Sequence, residues 1–247
     1  MVIKTAGEIA MLDDANRIVH RVLDGLAALI APGVTTGELD RYAEREIRAA
    51  GAAPAFLNYK GYPATLCTSV NDVIVHGIPG GTRLEEGDIV GIDCGVLYNG
   101  YYGDAARTFA VGKVGAEANR LMDVTRQALE LAVREVKPGA RLGDIGAAVQ
   151  RHVEAHGYSV VREFVGHGIG TALHEDPQVP NYGEPGHGPR LKPGVVLAIE
   201  PMVNAGGPGV KFDSDGWTAR TEDGSLSAHY EYSVAVTESG ARVLGRN

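Results

Sequence analysis

Apolar residues recur at helical spacing in four segments of the chain, which predicts four α-helices. Pro32-Gly33 ends the first segment, residues 8–30, whose apolar stripe consists of Ile9, Leu12, Ile18, Val22, Leu26 and Leu29. The capping pattern Thr35-x-x-Glu38 begins a second helix that ends near residue 51. The other two helices are predicted over residues 117–136 and 142–156, and Gly157 closes the last.

Short β-rich runs bounded by glycine and proline lie between and after these helices. They include residues 88–96, 195–199 and 230–236. Because helices and strands are both abundant, the pattern predicts a mixed α/β fold.

Several motifs occur twice at nearly constant separation. The helix that follows Pro32-Gly33 matches the one that follows Pro138-Gly139, 106 positions later. Asp93 and Glu200 end similar strand patterns 107 positions apart, and His76 and His174 precede matching prolines 98 positions apart. Chance recurrence of Pro-Gly turns explains any single match, but three in chain order favour duplication. We therefore expect one catalytic domain with related halves of about residues 1–115 and 116–247.

Composition narrows the class of protein. The 247 residues carry a net charge of −8, which argues against electrostatically driven binding to DNA or other nucleic acids. A hydrophobic content of 44% with 22% charged residues excludes disorder, and 34 glycines without a short repeat exclude collagen. The sequence shows neither a secretory signal nor an apolar run of about 18 residues. We expect a cytoplasmic protein with no membrane contact and two reduced, buried cysteines, Cys67 and Cys94.

Carboxylates interrupt the predicted apolar strands. Asp93, Glu200 and Glu231 lie in such runs, and Asp104 follows eleven residues after Asp93. One such acid is most simply a strand-end residue with an arginine partner. Four acids without a matching supply of cationic strand residues favour metal, because an unpaired buried charge costs several kcal/mol.

A histidine between glycines completes the candidate metal centre. His167 lies in the run GHGIG at residues 166–170, where the glycines allow close backbone packing. Four carboxylates and one imidazole suit manganese, iron, cobalt or zinc better than copper, and four negative charges balance two divalent ions. Two such ions can hold a bridging hydroxide and stabilise the tetrahedral intermediate of amide hydrolysis.

Six motifs in order carry a family resemblance. They are CTSVNDVIVHGIP at residues 67–79, Asp93 with Asp104, GHGIG at 166–170, HEDP at 174–177, IEP at 199–201 and SAHYE at 227–231. Together they resemble the type I methionine aminopeptidases over nearly the whole chain. The spacings leave no room for the insertion of type II enzymes, and the sequence shows no N-terminal zinc-finger extension. The resemblance implies the pita-bread (creatinase/aminopeptidase) α/β fold, in which helices cover a curved antiparallel sheet, and this agrees with the repeat.

The resemblance also implies a role for each candidate residue. Asp93 would chelate one metal ion, Asp104 and Glu231 would bridge two, and His167 with Glu200 would complete the second. Glu200 would also accept and pass on a proton during attack on the carbonyl after the N-terminal methionine. The two remaining catalytic candidates are histidines: His174 would stabilise the oxyanion and His76 would contact the departing amide nitrogen or the next residue.

Family positions for the methionine pocket match Tyr59, Tyr62, Cys67 and Trp217, although aromatic residues at such places are also ordinary core residues. Phe56 is a further candidate for the pocket. Three positions depart from the family pattern. Phe56 stands where many members have a smaller side chain and Leu173 where phenylalanine is common, two changes that can compensate in volume. His229 replaces a glutamine and would share a strand face with Glu231.

The resemblance implies further ligands and partners. Asn71, Val73 and Ser227 match positions at which some relatives hold a monovalent cation. The substrates would be the N-termini of newly made polypeptides. We expect a monomer, and docking on the ribosome stays an open alternative.

Two other functions are compatible with the same fold. The first is a proline-specific aminopeptidase or dipeptidase of the same fold, whose members usually carry a large additional N-terminal domain. The second is a binding protein that has kept the fold and lost catalysis. The presence of all five candidate ligands, Asp93, Asp104, His167, Glu200 and Glu231, argues against the second.

Overall fold

A computed structural model describes residues 1–246 and has the mixed α/β composition expected from the sequence. The helices are α1 (Ala6–Ala27), α2 (Thr36–Ala49), α3 (Ala116–Arg134) and α4 (Leu142–Ala155), with a 3-10 turn at Tyr59–Gly61. The strands are β1 (Ala53–Pro54), β2 (Leu66–Val70), β3 (Val73–Val75), β4 (Ile89–Tyr98), β5 (Tyr101–Ala110), β6 (Ser159–Val160), β7 (Gly166–Gly168), β8 (Glu175–Val179), β9 (Val196–Ile199), β10 (Met202–Asn204), β11 (Val210–Phe212), β12 (Ala219–Thr221), β13 (Ser227–His229), β14 (Tyr232–Thr237) and β15 (Gly240–Val243).

All four predicted helices form, with ends shifted by at most three residues. The Thr35 side chain accepts from the Glu38 backbone, and the Glu38 carboxylate accepts from the Thr35 backbone, so the predicted capping box is confirmed. Most of the stripe predicted for α1 is buried. Leu29 is the exception: it lies beyond the end of α1 and is 40% exposed, because the helix stops at Ala27 rather than at residue 30.

Every strand pairing in residues 1–246 is antiparallel. One sheet has the order β1-β4-β2, with β5 also paired to β4, and the largest has the order β15-β14-β9-β7-β8. Two three-stranded sheets, β13-β10-β6 and β11-β12-β3, complete the architecture. The predicted strand over residues 230–236 is wrong at its start, because β13 ends at His229 and β14 begins at Tyr232.

Each helix pair covers its own set of strands. Side chains of α1 and α2 share one apolar cluster with β2, β4 and β5, whereas those of α3 and α4 share another, chiefly with β9, β10, β13 and β14. The start of α2 is tied by an isolated antiparallel bridge between Thr35 and Arg83, and the start of α4 by one between Arg141 and Arg190. These paired features agree with the sequence repeat, and the division near residue 115 stays a prediction.

A close approach between α1 and β5 fixes the position of the strand. A Cβ added at Gly103 would lie 2.7 Å from the Ala15 carbonyl carbon and 2.8 Å from the Asn16 nitrogen. The side chain of Asn16 accepts from the backbone N–H of Asp104 at 3.2 Å. The glycine therefore allows the contact that holds the next residue, Asp104, in place.

No helix in residues 1–246 combines the length and the apolar character needed to span a membrane.

We predict that Gly103→Ala lowers the free energy of unfolding by about 2 kcal/mol, because the new methyl group must displace the backbone of α1. Urea denaturation measures the change. Gly81→Ala is the matched control, since a Cβ there meets nothing within 4 Å, and we expect a change below about 0.5 kcal/mol. Equal stability of the two variants would show that α1 does not pack tightly on β5.

Candidate metal centre and substrate cavity

The β4–β5 hairpin brings Asp93 and Asp104 to the same face of the sheet. Asn99 and Gly100, both with positive φ, form its tight turn. The register places Asp93 opposite Ala106, and Asp104 lies two residues along β5 from that partner. Since side chains two residues apart share a face, the two acids are diagonal neighbours. The spacing of eleven residues is thus explained by the hairpin register.

The second half of the chain supplies three more polar side chains from adjacent strands. Tyr232 of β14 pairs with Ile199 of β9, so Glu231 and Glu200 lie at the next position of the same register. His167 on β7 pairs with Ala198 of β9. Ala198 and Glu200 are two residues apart, so their side chains lie on the same face, and the side chain of His167 lies on that face too. Glu231 is also tied to the first half, because its backbone N–H donates to the Ala106 carbonyl at 2.9 Å.

The five predicted ligands converge in space. Ligand atoms of Asp104, His167 and Glu231 all lie within 4.8 Å of one another, and all three residues are buried. The Nε2 of His167 is 3.6 Å from an oxygen of Glu200 and 3.9 Å from an oxygen of Asp104. Asp93 completes the group, since its carboxyl group lies within hydrogen-bonding reach of Asp104.

No lysine or arginine forms an ion pair with any of the four acids in the described chain. One oxygen each of Asp93, Asp104 and Glu231 is buried without a hydrogen-bond partner. Burial raises the pKa of both Asp93 and Glu200 to about 7. Burial, reinforced by the neighbouring carboxylates, also raises the pKa values of Asp104 and Glu231 well above their usual range. Such a desolvated cluster is stabilised by divalent metal, and its donor set fits one.

The orientation of His167 suits metal ligation. Its Nδ1 lies 2.9 Å from the Gly168 carbonyl, so the Nδ1–H donates there and the Nε2 lone pair faces the acids. A Cβ on Gly166 would lie 2.3 Å from the Ala198 carbonyl oxygen, and one on Gly168 would lie 2.5 Å from that of Asp176. The flanking glycines therefore provide the close backbone packing that the sequence predicted.

A cavity of about 190 Å³ opens beside these ligands. All twelve predicted site residues line it: Phe56, Tyr59, Tyr62, Cys67, His76, Asp93, Asp104, His167, His174, Glu200, Trp217 and Glu231. Leu173, singled out from the sequence only as a departure from the family pattern, also lines the cavity. Lys60 is a further lining residue that sequence reasoning missed, and its position directly after Tyr59 was the one available signal.

The two histidines of the repeat lie at different places around the cavity. The Nδ1 of His174 is 2.8 Å from the Tyr59 hydroxyl, and its ring lies 4.2 Å from that of His167. Partial burial, with the nearby His167, lowers the pKa of His174 to about 3. Burial lowers the pKa of His76 to about 4, so both imidazoles are neutral at pH 7.

Apolar and aromatic side chains form one wall of the cavity. Tyr62 is buried, its hydroxyl lies within hydrogen-bonding distance of the backbone carbonyls of Leu66 and Gly77, and its ring contacts Trp217 edge-on at 5.0 Å. Cys67 is buried and free, as is Cys94, which confirms the prediction of two buried thiols. Phe56 and Leu173 belong to the same apolar cluster, and compensation between them in volume stays a prediction.

His229 contacts the centre by a different route from the one predicted. The break after β13 separates it from Glu231, so the two do not share a continuous strand face. Its Nε2 instead lies 3.5 Å from Oε2 of Glu200, the oxygen that does not face His167, while its backbone exchanges two 2.9 Å hydrogen bonds with the Thr108 hydroxyl.

The residues predicted near a monovalent cation lie close together. The Ser227 N–H donates to the Asn71 carbonyl at 2.8 Å, and Val73 begins β3 two residues after Asn71. The Asn71 amide group is hydrogen-bonded to Asp88 and Ile89, and the Ser227 hydroxyl to Asn204. Main-chain carbonyls are therefore the groups that a cation would meet here.

The chain is similar to known metallopeptidases over nearly its whole length. The model of metallopeptidase family M24 matches residues 10–238. A methionine aminopeptidase of Clostridium acetobutylicum is 50% identical over 245 residues, covering 99% of this chain and 98% of the relative. Methionine aminopeptidase 1 of Bacillus subtilis is 49% identical over 246 residues, covering 100% and 99%.

Solved structures agree. Methionine aminopeptidase from Rickettsia prowazekii superposes with a TM-score of 0.98 at 42% identity, with complete coverage of both chains. The prolidase from Pyrococcus horikoshii shares the fold alone, with a TM-score of 0.80 at 24% identity, and this chain covers 64% of it. The pita-bread fold is thus common to both kinds of hydrolase, but full-length similarity is to the aminopeptidases. We conclude that the chain belongs to metallopeptidase family M24 and, within it, to the methionine aminopeptidases.

Proposed function

We propose that this chain removes the N-terminal methionine from polypeptides whose second residue is small, by metal-assisted amide hydrolysis. One observation carries the proposal: five metal-ligand candidates, two neutral histidines and an apolar wall surround a single cavity of about 190 Å³. The cavity is smaller than the roughly 300–1,000 Å³ of common ligand pockets, which suits one side chain and its scissile bond.

The proposed centre holds two divalent ions. Asp93, Asp104, His167, Glu200 and Glu231 would hold them. Four carboxylates balance two divalent charges, and the unpartnered oxygens of Asp93, Asp104 and Glu231 are free to coordinate. When bound, the ions supply Lewis-acid polarisation and activation of water at neutral pH, and manganese, iron, cobalt and zinc all accept these ligands.

Glu200 is the proposed proton acceptor. It directly follows β9 and lines the cavity, so its carboxylate lies where it can take up a proton from the attacking water and release it again. It would pass the proton to the departing amide nitrogen. Asn181 fixes this position, because its side-chain amide donates to the Glu200 carbonyl at 3.0 Å.

The neutral histidines are proposed to hold the reacting amide. If the Tyr59 hydroxyl donates to Nδ1 of His174, the proton of that ring lies on Nε2 and can be donated to the substrate carbonyl oxygen. His76 follows β3 with a positive φ of 61°, at the end of the cavity nearest Trp217. It would contact the nitrogen of the second residue.

The methionine side chain would occupy the wall formed by Phe56, Tyr59, Tyr62, Cys67 and Trp217. A thioether packs well against aromatic rings, and the buried wall disfavours charged side chains. The cavity of about 190 Å³, which His76 also lines, would limit the second residue to small side chains.

The proposal also covers the cellular setting. The substrates would be the N-termini of nascent polypeptides in the cytoplasm. The enzyme would be a monomer, and docking on the ribosome would bring it close to these substrates. A monovalent cation would be held by carbonyls near Asn71, Val73 and Ser227. Sedimentation with and without purified ribosomes tests the assembly state and the docking together.

We predict that metal-loaded protein hydrolyses Met-Ala-Ser and leaves Ala-Pro-Ser intact. Amino-acid release measured by chromatography decides between methionine-specific and proline-specific activity. Hydrolysis of the Xaa-Pro peptide at the higher rate would assign the chain to the proline-specific hydrolases, and inactivity on both would favour a binding protein.

We predict that His174→Asn lowers kcat about 100-fold while metal content, measured by elemental analysis, is unchanged, because the lost donor acts on the transition state. Tyr59→Phe removes only the hydroxyl that orients the His174 ring, so the decrease in kcat should be smaller. Full activity of His174→Asn would show that His174 does not take part in catalysis.

We predict that Asp93→Asn stabilises the metal-free protein, and increasingly so between about pH 4 and pH 7. The pKa of Asp93 is raised from 3.8 to about 7, so the folded state binds more protons than the unfolded state in that window, and raising the pH favours unfolding of the wild type. Urea denaturation in chelator from pH 4 to pH 8 measures the difference between variant and wild type.

Adding manganese at pH 7.5 should reverse the order, because only the wild type keeps all ligands. Glu238→Gln, at an exposed position, is the control and should show no such pH dependence. A variant no more stable than the wild type at pH 7 in chelator would contradict the proposed charge repulsion.

A further inference from the structure

Aromatic rings continue from the cavity to the protein surface. Successive ring centroids are 5.0 Å apart from Tyr62 to Trp217, 6.3 Å to His76, 5.3 Å to Phe164 and 6.1 Å to Phe212. All four contacts are edge-to-face, within the usual range for interacting aromatic pairs. We call the last two residues, Phe164 and Phe212, the outer aromatic pair.

Exposure increases steeply along this row. Tyr62 is 3% exposed, whereas Phe212 at the end of β11 is 62% exposed, the highest value among the large hydrophobic residues found on the surface. A single exposed phenylalanine is ordinary on a protein surface. Here the ring lies against Phe164, which contacts His76 at the cavity, so the apolar surface is continuous with the site.

The cavity volume requires the substrate chain to leave over a rim. About 190 Å³ accommodates one side chain, and residues after the scissile bond must lie outside. If His76 contacts the second substrate residue, a chain passing over it next reaches the outer aromatic pair. At about 3.3 Å per extended residue, Phe164 lies near the third or fourth substrate residue and Phe212 near the fifth.

We propose that Phe164 and Phe212 form a subsite that binds apolar side chains at positions four and five of the substrate polypeptide. This inference rests on the proposed aminopeptidase function and adds a selectivity beyond the first two residues. The edge position of β11, which pairs only with β12, leaves its outer side open to an extended chain. A polypeptide with serines at these positions gains no binding affinity from the outer aromatic pair.

The test compares two hexapeptides, Met-Ala-Ser-Leu-Leu-Ser and Met-Ala-Ser-Ser-Ser-Ser, with the tripeptide Met-Ala-Ser. The wild type should cleave the leucine peptide with a kcat/KM about fivefold higher than the serine peptide, through a lower KM, since part of Phe212 becomes covered. Phe212→Ala should abolish this ratio and leave tripeptide cleavage unchanged. Leu29→Ala, a substitution at another exposed apolar residue, is the control and should retain the ratio.

A second readout does not depend on turnover. Trp217 is the only tryptophan in the sequence and lies in the aromatic row, so its fluorescence reports peptide binding to metal-free protein. The leucine peptide should bind about fivefold more tightly than the serine peptide, and Phe212→Ala should bind both equally.

The outcomes separate this inference from the proposed function. No cleavage of any of the three peptides would reject the aminopeptidase, whatever Phe212 does. Cleavage with equal kcat/KM for both hexapeptides, or a ratio retained by Phe212→Ala, would overturn the subsite alone. Self-association lost only in Phe212→Ala, with an unchanged peptide ratio, would assign the residue to a contact between copies and also overturn it.

Discussion

Four carboxylates share a buried space in which no lysine or arginine of residues 1–246 pairs with them. Burial raises the pKa values of all four acids, and repulsion from neighbouring carboxylates adds to the shift at Asp93, Asp104 and Glu231, which means that the metal-free protein stores unfavourable electrostatic energy at this centre. Divalent metal is the natural counter-charge. The surrounding strands form a frame that holds the five candidate ligands in register against this repulsion.

The frame depends on contacts between the two halves of the chain. Glu231 donates from its backbone to Ala106, and the Ser233 hydroxyl donates to the Asp104 carbonyl at 2.9 Å. Such bonds tie acids from separate hairpins to one another. Glycine has a related role at Gly103, Gly166 and Gly168, where a methyl group would collide with neighbouring backbone. These three glycines therefore supply space around a crowded charged centre.

Much of this organisation could be predicted from the sequence, for identifiable reasons. Helical periodicity and caps located the four helices, and acids inside apolar runs stood out because burial without a partner is unfavourable. The hairpin register, by contrast, explains the eleven-residue spacing only once the turn at Asn99-Gly100 is known. The strand break before Glu231 and the end of α1 before Leu29 were missed, since local patterns do not fix where tertiary contacts interrupt an element.

The outer aromatic pair illustrates the same limit of sequence reasoning. Phe164 and Phe212 are 48 positions apart, and neither lies in a motif, so only the fold brings them together beside His76. Tertiary structure thus connects the candidate metal centre to a surface that the motifs do not mark.

Anomalous diffraction from crystals of the protein grown with manganese tests the central claim most directly. The account predicts two anomalous peaks among the five ligands, one bounded by Asp104, His167, Glu200 and Glu231 and the other next to Asp93. Full manganese saturation without a peak at these carboxylates would contradict it, because the buried negative charge would then be stabilised in another way.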